Sequence, residues 1–116
     1  MDQSNHETYA PIYVVSGGRG LSGNHMVQAL LIQYPENKIP VIIVPGVLTE
    51  EQVLEVVLKA KSDGGLIAHT MVNPFLRKSI NALCVEHGVK AIDFMGKLAR
   101  HLDETLKVEP LKHPGL

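Results

Sequence analysis

Ile12-Tyr13-Val14-Val15-Ser16-Gly17-Gly18-Arg19-Gly20-Leu21-Ser22-Gly23 is the stretch whose reading decides the fold. Its four apolar residues, two of them valines, have the length of a short buried strand, and the glycines that follow stop it. The pattern then changes to helical spacing, with Met26, Val27, Leu30, Leu31 and Tyr34 on one face of a helix predicted from about Ser22 and ended by Pro35. A strand apolar on both faces that feeds a helix is the opening half of a βαβ unit, and it needs a parallel neighbour.

The rest of the chain repeats that unit. Pro40 to Val44 is a second strand, closed by Pro45-Gly46, and Thr49 with Gln52 forms a capping box for a helix that runs to Gly64-Gly65. Leu66 to Val72 is a third strand. Asn73-Pro74 is an N-cap followed by proline at the first helical position, opening a helix whose face of Leu76, Ile80, Leu83, Cys84 and His87 ends at Gly88. Val89 to Met95 is a fourth strand, and Leu98, Leu102 and Leu106 mark a fourth helix. Strands separated by helices of this length specify a parallel sheet with helices on both faces, and right-handed crossovers leave few orders. The expectation is a single three-layer α/β domain over residues 12–106, a four-stranded parallel sheet of flavodoxin-like or Rossmann-like type in the order 2-1-3-4. Residues 1–11 read as a loosely ordered lead-in. The ten residues KVEPLKHPGL, 107–116, read as a linker toward a further domain.

Composition narrows the function classes. The net charge is -1 and aromatic residues are 4%, so the chain lacks both the cationic footprint for a phosphate backbone and the stacking platforms for bases, and no nucleic-acid partner is expected. Its longest apolar runs are strand-sized, which argues against a membrane span. One cysteine, Cys84, excludes an intrachain disulfide framework and suits a reducing cytoplasm. Its place on an apolar helix face reads as core rather than nucleophile. The histidines stand singly, without metal-ligand spacing.

In an open parallel sheet, ligands gather at the carboxyl ends of the strands where the strand order switches, here between the loops after strands one and three. Gly18-Arg19-Gly20-Leu21-Ser22-Gly23 is a formal G-x-G-x-x-G. A dinucleotide reader needs an acidic residue after strand two, and Val44-Pro45-Gly46-Val47 supplies none, so the alternatives are an anion site and a plain glycine-rich turn. The anion reading places Ser16, Gly18, Arg19, Gly20 and Ser22 with Thr70 and Asn73 around one pocket. No G-x-x-x-x-G-K-[ST] occurs. His69 lies toward the end of strand three, where satisfaction by backbone is its ordinary role. Asp93, a carboxylate in an apolar strand, is either a crevice residue or half of a structural pair.

Val14-Val15-Ser16 with its glycine-rich turn, Thr70-x-x-Asn73-Pro74-x-x-Arg77, Ile92-Asp93-x-x-Gly96 and His113-Pro114-Gly115-Leu116 occur in an order and spacing that resembles the N-terminal domain of the pyruvate, phosphate dikinase and phosphoenolpyruvate synthase regulatory proteins. The resemblance covers almost the whole chain from Ile12. It implies a bifunctional parent protein that uses ADP to phosphorylate a threonine of the dikinase or synthase, and inorganic phosphate to remove it with release of pyrophosphate. It also implies that the P-loop lies in a C-terminal domain beyond Leu116, so that ADP and inorganic phosphate are ligands of the parent and this chain holds no cofactor and no catalytic residue. Arg77 and Asp93 join the candidate ligand-binding residues through these motifs. The chain departs from the family pattern at Gly17 and Asn73, where acidic residues are usual, which makes the crevice more positive. The implied role is docking of the dikinase or synthase, assembly, or closure over a kinase site. A phosphate or small-ligand sensor without catalysis is the alternative, and a homo-oligomer is expected because two strands would be edges of the sheet.

Overall fold

The computed structural model describes residues 9–111. Along them, β1 (Ile12–Val15), α1 (Leu21–Leu31), β2 (Val41–Val44), α2 (Glu50–Asp63), β3 (Leu66–His69), α3 (Pro74–His87), β4 (Lys90–Asp93) and α4 (Gly96–Leu106) alternate without exception. The strands form one parallel sheet in the expected order β2-β1-β3-β4. The first eight residues of the expected lead-in, and the end of the expected linker with His113-Pro114-Gly115-Leu116, lie outside the described residues.

Side chains alternate across a strand, so the register sorts the sheet into two faces. Tyr13, Val15 and Ile67 point to one face, where Val53, Val56, Val57 and Ala60 of α2 and Leu76, Ile80 and Cys84 of α3 close over them. Val14 and Ala68 point to the other and meet Val27 of α1, with Ile12, Leu31, Val41 and Phe94 around them. The larger core therefore lies under α2 and α3. Helix starts follow the sequence signals: Thr49 and Gln52 make the reciprocal capping box of α2, and Asn73 Oδ1 accepts from the amides of Phe75 and Leu76 at the start of α3.

Three boundaries differ from expectation by more than one residue, each for a local polar reason. The first helix ends at Leu31 rather than Tyr34, because Asn37 Nδ2 donates to the carbonyls of Leu31 and Tyr34 and satisfies the helix end early. Met26, Leu30 and Tyr34 are exposed, and α1 buries only Gly23 and Val27. β3 stops at His69 rather than Val72 and β4 at Asp93 rather than Met95. In both places a side chain accepts the amide two residues on, His69 Nδ1 from Met71 and Asp93 Oδ1 from Met95, and so turns the chain out of the ladder.

Cover is uneven. Ile42 and Ile43 of the edge strand β2 remain 40% and 39% exposed, which leaves apolar surface on both faces of that strand. α4 buries no residue, and its stripe of Leu98, Leu102 and Leu106 faces outward. None of the helices is long and apolar enough to cross a membrane among the described residues.

Candidate functional site

The loop after β1 is folded by its own polar groups. Ser16 Oγ accepts from the Gly18 amide at 3.0 Å, and backbone hydrogen bonds tie Ser16 to Val44 and Val47, and Gly18 to Gly46, strapping this loop to the one after β2. Gly20 is the N-cap of α1 at φ 83°, a left-handed conformation, and a Cβ there would lie 2.7 Å from Ile43 Cγ2. Gly23 lets α1 approach the sheet, since a Cβ would stand 2.9 Å from Val14 Cγ1. Two of the three glycines of the formal motif thus have packing reasons of their own. The same Cβ position on Gly23 is 3.4 Å from Thr70 Cγ2, so the loop after β3 reaches the start of α1. Ser16, Gly18, Gly20, Ser22 and Thr70 therefore come to one end of the sheet, with Arg19 exposed. Asn73 has its side-chain oxygen committed to capping α3.

Arg77 and Asp93 belong to a separate constellation at the ends of β3 and β4. His69 is fully buried, and the Met71 amide donates to its Nδ1 at 3.4 Å, which fixes the proton on Nε2. Nε2 donates to Asn81 Oδ1 at 2.9 Å, and Asn81 Nδ2 donates to Asp93 Oδ2 at 3.3 Å. Arg77 Nε lies 3.8 Å from the same carboxylate oxygen. Burial pushes the His69 pKa down, outweighing the Asn81 hydrogen bond and the Asp93 charge that pull it up. The imidazole is therefore neutral near pH 7 and bridges the Met71 amide and the Asn81 side chain. Gly96 has a structural reason beside this network, because a Cβ there would meet Asp93 Oδ2 at 2.8 Å.

Asp93 is paired with Arg77, and it lines a cleft other than the crevice expected between the loops after β1 and β3. That cleft, of about 310 Å³, lies between α3 and α4 and is walled by Arg77, Lys78, Asn81, Asp93, Arg100 and Asp103, with Pro74 and Gly96 where the two helices begin. Sequence reasoning missed Asn81, Lys78 and Arg100. Asn81 was findable, since it lies one helical turn after Arg77 and is a polar residue beside the apolar stripe of α3. Arg100 carried no local signal, because only the path of α4 brings it beside α3. Cys84 is buried and its thiol is pushed up to about 11 by desolvation, as an inert core residue. Among the described residues no group of three His, Cys, Asp or Glu side chains is placed to hold a metal.

A family model described as kinase/pyrophosphorylase matches residues 12–116. A protein of Chloroflexus aurantiacus named as a pyruvate, phosphate dikinase regulatory protein is 39% identical over 115 residues, which are 99% of this chain and 41% of that relative. One of Desulfotalea psychrophila with the same name is 37% identical over 116 residues, all of this chain and 41% of the relative. A third, from Sorangium cellulosum, is 33% identical over 104 residues, 90% of this chain and 37% of the relative. The chain thus spans well under half the length of the curated relatives it matches.

Proposed function

The chain belongs to the kinase/pyrophosphorylase family, and from that premise we propose that it acts in the regulation of pyruvate, phosphate dikinase as a docking and assembly domain. The observation that carries this reading is the 37–39% identity to relatives bearing that name over nearly every residue of this chain. In the whole protein we place ADP-dependent phosphorylation of a target threonine, and phosphate-dependent removal of that group, in the part of the relatives that this chain does not span. Phosphoryl transfer requires a phosphate cradle, a cation on the transferred group and a base for the accepting hydroxyl. Among the described residues, His69 is buried, Asp93 is hydrogen-bonded on both carboxylate oxygens and Cys84 is sealed in the core, which supports placing that base outside this chain.

Docking has a physical basis in the uncovered apolar surface. The Leu98, Leu102 and Leu106 stripe and the exposed isoleucines of β2 are a surface suited to another polypeptide, including a second copy of this chain. Phosphoenolpyruvate synthase is the other candidate target. Sedimentation of the purified chain alone, with the dikinase and with the synthase tests these assignments: a complex with the dikinase or the synthase is expected, and absence of both complexes at micromolar concentrations refutes target docking. The second reading, an anion sensor, is favoured by the cationic cleft between α3 and α4.

A further inference from the structure

The geometry points to the cleft between α3 and α4 as a binding site for a phosphate group, distinct from the glycine-rich turn after β1. Three cationic side chains, Arg77, Lys78 and Arg100, line a cavity of about 310 Å³, at the lower end of the range for ligand pockets, roughly 300–1,000 Å³. Two carboxylates share that wall, and they are not equivalent. Asp93 is engaged on both oxygens, by the Met95 amide on one and by Asn81 and Arg77 on the other. It therefore holds Arg77 against the wall and neutralises that one cation, while His69 behind Asn81 holds the amide that completes the wall. Lys78 and Arg100 form no ion pair among the described residues, and Asp103 alone opposes them. The cleft is thus left with net positive charge, a fixed guanidinium and a side-chain amide.

A phosphate fits this wall better than a carboxylate. It carries up to two negative charges and has enough oxygens to engage several donors at once, whereas a carboxylate has one charge and two oxygens. The residues come from two helices and a strand end that the fold brings together, so the charge cluster is not a feature of one solvated helix face. The source of the phosphate is open to experiment: a free inorganic ion and a phosphorylated side chain of another protein present the same group. This inference stands on the cleft alone and does not depend on which protein the chain docks to.

Amide NMR titrations at constant ionic strength test it, with inorganic phosphate in one arm and a short phosphothreonine peptide beside its unphosphorylated form in another. Saturable shifts are expected for the amides of Arg77 to Asn81 and Gly96 to Arg100, with none from the unphosphorylated peptide. Lys78→Gln and Arg100→Gln should each weaken the affinity by at least about tenfold, and Arg19→Gln, in the glycine-rich turn, should leave it unchanged. Saturation by inorganic phosphate identifies the free ion as sufficient, and saturation by the phosphopeptide alone identifies a phosphorylated protein as the source. Shifts that fail to saturate by about 10 mM, that cluster at residues 16–23, or that survive both cleft substitutions overturn the assignment.

Discussion

His69 shows how one buried side chain, through Asn81, links the carboxyl ends of β3 and β4. A neutral imidazole at this position needs one donor and one acceptor, and the Met71 amide and Asn81 Oδ1 supply them. Asn81→Leu leaves the Nε2 hydrogen without an acceptor and frees one side of Asp93, so it should destabilise the fold by about 1–3 kcal/mol, read from urea midpoints. The pH dependence has a definite sign. The native pKa of His69 is held below its ordinary 6.5 by burial, so below that value the unfolded chain binds a proton that the native chain refuses. The His69 contribution is therefore fully present above pH 6.5 and is lost as the pH falls toward and through the depressed native value. Urea midpoints should fall between about pH 7.5 and pH 5.5, and His69→Gln should flatten that part of the profile; an unchanged slope in the variant refutes the assignment.

At the scale of elements, the alternation of strand and helix was legible because both carry strong periodic signals, and the caps at Thr49 and Asn73 were legible because each has a local mechanism. The ends of α1, β3 and β4 were not, since Asn37, His69 and Asp93 act through side-chain bonds that periodicity does not encode. Of the residues that wall the cleft between α3 and α4, the motifs singled out Arg77 and Asp93 and helical spacing could have added Asn81, whereas Lys78 and Arg100 joined them only through tertiary placement. Glycine offers a sharp contrast between two turns. Gly20 and Gly46 both have positive φ, but a Cβ meets Ile43 at the first and nothing within 4 Å at the second. Gly46→Ala should cost about 1–2 kcal/mol from backbone conformation, and Gly20→Ala clearly more, in thermal or urea unfolding. α4 gives the opposite test. Leu102→Gln should change stability by no more than about 0.5 kcal/mol, whereas Ile80→Ala, at a fully buried site, should cost about 2–5 kcal/mol. Comparable losses at the two sites would mean that the Leu102 side chain is buried in solution.

Across the whole molecule, two well-formed cores coexist with an uncovered edge strand and an amphipathic helix whose leucines face outward. Such surface is expected to make the chain associate with itself or with a partner, and the substitution of Leu98 and Leu102 by glutamine should shift the sedimentation profile toward monomer. We propose that this domain serves a dikinase regulator by docking and assembly, with the phosphoryl-transfer machinery outside the residues it spans. The most direct measurement incubates the purified chain with pyruvate, phosphate dikinase and ADP labelled in its β-phosphate, and follows label on threonine. The account predicts a complex with the dikinase and no threonine labelling above a control without the chain; labelling above that control contradicts it, because the catalytic residues would then lie within these 116 positions.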